Sequence, residues 1–253
     1  MDLGLADRVY VLTGASKGLG FATAQALAAD GAKVVISARD LDRVNTAVGE
    51  LGTNAVGMVA DLAEETAAQD LMDAARDHFG RFDGALISVG GPARGTAASM
   101  TDAQWRDAFE TVFLGTVRAA RTFAEALTTT GGGAIGLVLS SSAREPVAGL
   151  GLSNGLRPGL AAVAKDMADE YGPRNVRLVG LLPGRLLTDR NRELFGATGD
   201  AEKAAADAAG AIPLRRLGDP AEFGRVAAFA LSPAASYLTG ITLPVDGGAL
   251  RGL

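Results

Sequence analysis

Residues 13–20 read Thr-Gly-Ala-Ser-Lys-Gly-Leu-Gly, and they directly follow the apolar run Val9–Leu12. The positions after them, Leu19, Ala22, Ala26 and Leu27, carry the apolar spacing of a helix. A buried strand that turns sharply into a helix brings backbone N–H groups and the positive end of the helix dipole together, which suits a phosphate. The donors so offered belong to Gly14, Ser16, Lys17, Gly18, Leu19 and Gly20. The bland alternative is that Gly18 and Gly20 only let a helix pack closely on a strand.

Three further segments sit where strands of this kind would end. After the run at 33–37 comes Ala38-Arg39, with no acid before Asp40. An acid there would bind the ribose hydroxyls of NAD and repel a 2′-phosphate, whereas Arg39 and Lys17 present two cations. The pair therefore favours NADP(H) over NAD(H), against the alternative that both are solvated surface charges. Asp61-Leu62 follows the next apolar run and is placed to receive an adenine amino group. Ser88-Val89-Gly90-Gly91 follows the fourth, with small residues where a sugar or nicotinamide would press on the backbone.

The elements that must position these residues alternate along the whole chain. Apolar β-rich runs stand at 9–12, 33–37, 55–59, 85–88, 134–139, 176–182 and 241–245. Helical stretches at 21–29, 64–79, 102–127, 160–171 and 220–231 separate them. Continuous apolar strands divided by helical lengths imply parallel pairing with helices on both faces, a doubly wound α/β sheet of the Rossmann type. In such a sheet the ligand lies at the carboxyl ends of the strands. The chain reads as one domain over 1–253, with an Ala/Asp/Arg-rich insertion at 188–213 that could fold over a ligand as a lid.

Composition narrows the class. At 253 residues and 48% hydrophobic the chain can bury a full core, and it has no cysteine for disulfides, thiolate chemistry or the usual zinc sites. No metal site is expected. A net charge of −5 without a basic cluster argues against a nucleic-acid partner. No signal peptide or membrane-length run is present, so a cytoplasmic location is expected.

These residues together resemble the short-chain dehydrogenase/reductase family over essentially the whole chain. The pattern Thr-Gly-x-x-x-Gly-x-Gly matches 13–20, and the family's aspartate after the third strand matches Asp61. Pro183-Gly184 followed by Thr188 looks like its nicotinamide-amide loop, and 238–248 resembles its C-terminal interface segment. The resemblance implies binding of Ser88, Gly90, Pro183, Gly184 and Thr188 to the cofactor, and homodimers or homotetramers. An apolar face at 111–127 is expected to help association. The implied reaction is hydride transfer to a small-molecule carbonyl or an acyl-thioester oxo group.

The family's catalytic Tyr-x-x-x-Lys pair falls on Ser153 and Arg157 when the chain is aligned on Pro183-Gly184. Its serine falls on Ser140, with Ser141 and Ser142 as register alternatives, and its helix asparagine falls on Val112. A similar Ser-Asn-x-x-Arg pattern with Gly-Gly-Pro, here Gly90-Gly91-Pro92, marks a divergent branch labelled oxoacyl-carrier-protein reductases or generic oxidoreductases. The resemblance thus assigns Ser140, Ser153 and Arg157 to catalysis and Arg157 also to the cofactor. A serine hydroxyl is far less acidic than a phenol, and a guanidinium cannot exchange a proton at neutral pH. The alternatives are a cofactor-binding protein or oligomer subunit without hydride transfer, or a non-redox reaction in the same pocket. Pro158, Gly155 and Gly159 predict a helix that begins late or kinks, leaving Ser153 or Asn154 as a cap or as a ligand contact. Tyr10, Tyr171 and Tyr237 read as packing residues, and His78 as a surface one.

Overall fold

The computed structural model describes residues 1–197 and 199–252, so position 198 of the expected lid and position 253 lie outside the described residues. Seven parallel strands form one sheet among them, β1 (Val9–Leu12), β2 (Lys33–Ala38), β3 (Ala55–Val59), β4 (Gly84–Ile87), β5 (Gly133–Val138), β6 (Val176–Pro183) and β7 (Ile241–Val245). Their spatial order is β3-β2-β1-β4-β5-β6-β7. The expected doubly wound α/β class is observed, and all seven strand positions agree to within a residue or so at each end. The order reverses between β1 and β4, which opens a crevice at their carboxyl ends.

Helices cover both faces: α1 (Gly18–Ala29), α2 (Leu41–Leu51), α3 (Ala67–Phe79), α4 (Asp102–Ala108), α5 (Gly115–Thr128), α6 (Gly151–Tyr171), α7 (Asp189–Gly196), α8 (Ala201–Gly210) and α9 (Pro220–Leu231). Side chains on β1 alternate between two cores. Val9 and Val11 pack with Leu71, Phe123 and Leu160, whereas Tyr10 and Leu12 pack with Leu27 and Phe223. At about 25 cal/mol per Å² of apolar surface, each fully buried Leu or Phe contributes roughly 1.5–3 kcal/mol. No helix among the described residues is long and apolar enough to cross a membrane.

Two elements differ from the sequence reading. The stretch expected as one helix over 102–127 is α4 and α5 joined by a π-helical turn, Phe109–Leu114. Gly115 explains the shift, since a Cβ there would stand 2.6 Å from the Leu62 carbonyl oxygen. Close backbone approach fixes this junction, and Arg118 adds a bond to the Ala63 carbonyl at 3.1 Å. The second difference is α6, which begins at Gly151 and runs through Pro158 to Tyr171. Its glycines are packing positions. A Cβ at Gly155 would lie 2.7 Å from the Trp105 ring, and one at Gly159 would lie 2.9 Å from the Phe113 ring. The expected late start fails because aromatic packing on this bare stripe offsets the proline and glycine costs.

The apolar face expected at 111–127 is also used internally. Ala119, Ala120, Phe123, Ala124 and Leu127 are buried in the chain's own core. What remains exposed nearby is Phe109, stacked on Phe113 with ring centroids 5.2 Å apart.

Candidate active site

The carboxyl ends of β1 and β4 are tied by one side chain. Thr13 Oγ1 donates to the Ser88 carbonyl at 2.9 Å and accepts from the Ser88 N–H at 2.9 Å. Gly14 and Gly18 take φ of +57° and +61°, and a Cβ at Gly14 would stand 2.5 Å from the Ser88 carbonyl oxygen. The turn therefore needs glycine on conformational and steric grounds together. Lys17 is the N-cap of α1 and supplies no capping side chain, so the first-turn N–H groups stay available to an anion.

One cavity of about 1070 Å³ runs from this turn in both directions. At its β2 end stand Arg39 and Arg43. Arg39 is 76% exposed and 3.7 Å from the Asp61 carboxylate, which also accepts from the Ala63 N–H at 3.1 Å. Asp40, the first acid after β2, is occupied as the N-cap of α2, accepting from the Arg43 N–H at 3.0 Å. Arg43 also pairs with the Asp40 carboxylate at 3.6 Å, so this end of the cavity presents two exposed arginine–aspartate pairs. Leu62, Ser88, Gly90, Pro183, Gly184 and Thr188 all line it, as the sequence reading placed them. A Cβ at Gly90 would meet nothing within 4 Å, an open space beside the backbone of the kind a sugar fills. Thr188 caps α7, and its methyl lies 3.8 Å from where a Gly18 Cβ would stand. The loop after β6 thus faces the glycine turn.

The other end is built by β5 and α6. Ser140, Ser153 and Arg157 line the same cavity. Ser140 Oγ accepts from the Ser142 N–H at 3.1 Å, capping a short turn. The hydroxyl that reaches Ser153 belongs to Ser142, at 2.9 Å and buried, so the third register alternative supplies the serine–serine contact. Residues 153 and 157 are one helical turn apart and share a face. Arg157 is only 4% exposed, and its Nη1 donates to the Val138 carbonyl at 2.9 Å. Its buried Nε has no partner. Burial, and then the nearby Arg190 cation, push its pKa down to about 10, so it stays charged at neutral pH.

Neither Ser153 nor Asn154 is a cap. The N-cap of α6 is Leu150, without a side-chain bond. Asn154 instead clamps the preceding loop, accepting from the Val147 N–H and donating to the Val147 carbonyl, both at 2.9 Å. These two bonds turn its amide toward the 147 loop. Val112, at the position of the family's asparagine, is buried in the π turn and reaches the cavity wall. Of the tyrosines, Tyr10 and Tyr171 are buried in packing, but Tyr237 is fully exposed and packs on nothing. His78 is on the surface, bonded to the Ala74 carbonyl of its own helix. Within 188–213 the cavity-lining residues fall between Thr188 and Glu193. The sequence reading missed Arg43, Arg94 and Arg190, which also line the cavity.

The family description Enoyl-(Acyl carrier protein) reductase matches residues 14–249. The chain is a short-chain dehydrogenase/reductase. It is 35% identical to an uncharacterized oxidoreductase of Mycobacterium tuberculosis over 249 residues, 96% of this chain and 92% of that one. The crystal structure of L-sorbose reductase from Gluconobacter frateurii, complexed with NADPH and L-sorbose, superposes with a TM-score of 0.95 at 28% identity, covering 100% of both chains. The apo structure of a short-chain oxidoreductase from Pseudomonas aeruginosa PAO1, described as containing an atypical catalytic center, superposes with a TM-score of 0.92 at 30% identity, again covering 100% of both.

Proposed function

We propose that this short-chain dehydrogenase/reductase is an NADP(H)-dependent reductase of a carbonyl or oxoacyl substrate, working through an atypical catalytic group. The observation that carries the reading is the cavity that joins the glycine turn to Ser140, Ser153 and Arg157, with Ser142 hydrogen-bonded to Ser153 behind its wall. The residues present fit the cofactor: glycines at positive φ, free first-turn N–H groups, open space at Gly90 and two arginines beyond β2. The L-sorbose reductase neighbour, which binds NADPH, supports the same choice.

Bound NADPH supplies the hydride that reduces the carbonyl carbon. The chain's own part is to hold and polarise. Gly14, Ser16, Lys17, Gly18, Leu19 and Gly20 hold the diphosphate, and Arg39 holds the 2′-phosphate. Asp61 and Leu62 flank the adenine. Ser88, Gly90, Pro183, Gly184 and Thr188 enclose the nicotinamide half. Arg157 keeps a permanent charge where negative charge develops on oxygen, and its spare donors serve ribose or substrate oxygens. Ser140 positions the carbonyl oxygen. Either hydroxyl of the Ser142–Ser153 pair can donate to the other. In this reading the orientation with Ser142 as donor frees the Ser153 proton to pass to that oxygen directly or through water, which then restores it. Purified protein should quench or shift NADPH fluorescence and oxidise NADPH with members of a carbonyl panel. Binding without any oxidation would instead support the cofactor-binding subunit without hydride transfer.

Cofactor choice rests on charge in this reading. Arg39→Asp should weaken NADPH binding at least 10-fold and spare or improve NADH, measured by fluorescence titration, because an acid replaces the 2′-phosphate's cation. Equal losses for both cofactors would make Arg39 structural. A homodimer or homotetramer is also part of the proposal, supported by exposed Phe109 and half-exposed Ile241 on edge strand β7, where Pro244 leaves side-chain packing rather than strand pairing as the means of association. Light scattering at micromolar concentration should give a multiple of the chain mass, and a monomer overturns the assembly.

A further inference from the structure

The substrate end of the cavity has an unusual charge. Arg94 from the loop after β4, Arg157 from α6 and Arg190 from α7 all line it. Among the described residues none of the three makes an ion pair; what sets the group apart is that Arg157 is also buried, with an unpartnered Nε. Arg190 lies flat on the backbone of Gly91, its guanidinium where a side chain at 91 would have to go, and its Nη2 is 3.4 Å from the Pro92 carbonyl. Arg94 and Arg190 are both exposed residues; partial burial of the Arg190 side chain and the Arg94 cation lower its pKa, with Glu193 opposing them. Asp107, Asp189 and Glu193 also reach the cavity wall, yet among the described residues none forms an ion pair with these guanidiniums.

Of the three only Arg157 is buried. A buried arginine without a carboxylate partner, facing the Arg190 cation, is costly unless an anion completes it, whereas exposed Arg94 and Arg190 stay free to reach that anion. The diphosphate does not serve that role. It belongs at the glycine turn after β1, and Arg157 rests on the end of β5, two strands away across β4. Two strand spacings are about 10 Å. Resting on the reductase reading above, we propose that Arg190 and Arg94, backed by the buried Arg157 charge, bind an anionic oxygen group on the substrate, a carboxylate or a phosphate monoester. The planar forks of arginine match either group in a two-bond geometry. Gly91 is the device that lets Arg190 lie across the mouth of the pocket.

The test uses matched pairs with NADPH-loaded protein. Acetoacetate is compared with its methyl ester, and dihydroxyacetone phosphate with dihydroxyacetone, by calorimetric binding and by steady-state NADPH oxidation. The expected result is at least a 10-fold preference for the anionic member of one pair, and which pair shows it identifies carboxylate or phosphate. Arg190→Met should bring that ratio close to one within the same variant, and Arg190→Lys should keep part of it. Binding falls with salt if charge carries the preference. Equal binding of anionic and neutral members, with NADPH bound normally, overturns the anion site and leaves the reductase standing. Failure of NADPH itself to bind overturns the reductase reading beneath it, and the anion site with it.

Discussion

Replacing Arg157 by methionine is expected to raise the melting temperature of the free protein and, in the same variant, to weaken NADPH binding by about 10-fold or more. The two effects have one cause. The guanidinium is almost fully buried, has one backbone bond to Val138, leaves Nε without a partner and faces the Arg190 cation. Its pKa is lowered to about 10, so folding penalises the charged form. That penalty is fully present at neutral pH and is relieved only as pH rises above about 10. Methionine fills a similar volume without charge. Replacing uncompensated buried charge by an apolar side chain is stabilising by on the order of 1–2 kcal/mol once the Val138 bond is lost. For a chain of this size that corresponds to about 3–6 °C, readable by calorimetry. A ligand that uses the spare donors loses a charge-assisted bond in the variant, which is the source of the affinity loss. A fall in melting temperature with unchanged NADPH affinity would make Arg157 a structural prop for β5, and its carry-over from the family's lysine would fail.

Legibility of this chain in its sequence followed the range of the forces involved. The inner strands β1, β2, β4, β5 and β6 are buried on both faces and read as continuous apolar runs. The half-exposed edge strands β3 and β7 kept enough apolar β-formers to be visible as well. The glycine turn was visible because positive φ at Gly14 and Gly18 and the close pass to Ser88 demand glycine at fixed spacing. The start of α6 was not, because local propensity argues against a helix containing Gly155, Pro158 and Gly159. What decides it is the contact of those glycines with Trp105 and Phe113, some fifty residues earlier in the chain. Ser142 was visible only as a register alternative to Ser140, since a hydroxyl's partner depends on side-chain direction after a strand end. Arg190 gave no signal of its own. Its role comes from Gly91, which reads alone as a flexible loop residue and becomes informative only when the guanidinium is seen lying on it.

The catalytic reading yields a gain-of-function test. Installing tyrosine at 153 together with lysine at 157 is expected to raise kcat/KM for carbonyl reduction by about 10²-fold or more, the scale of one well-placed general acid. The structure supplies the geometry this needs. α6 runs without a break from Gly151, so positions 153 and 157 stand one turn apart on the face that lines the cavity. Ser153 lines the cavity, and Ser142 lies 2.9 Å from its hydroxyl. A phenol beside a buried ammonium has its pKa drawn below 10 by the opposite charge, while burial lowers the lysine from its ordinary value. The alkaline limb of the pH–rate profile for reduction, where the phenol loses its proton, should therefore move down in the double variant relative to Ser153→Tyr alone. That shift is a readout that better packing would not produce. Should the double variant bind NADPH normally and reduce nothing faster across the carbonyl panel, the hydroxyl at 153 does not stand at the reacting oxygen. The Ser142–Ser153–Arg157 cluster would then serve a different reaction in the same pocket.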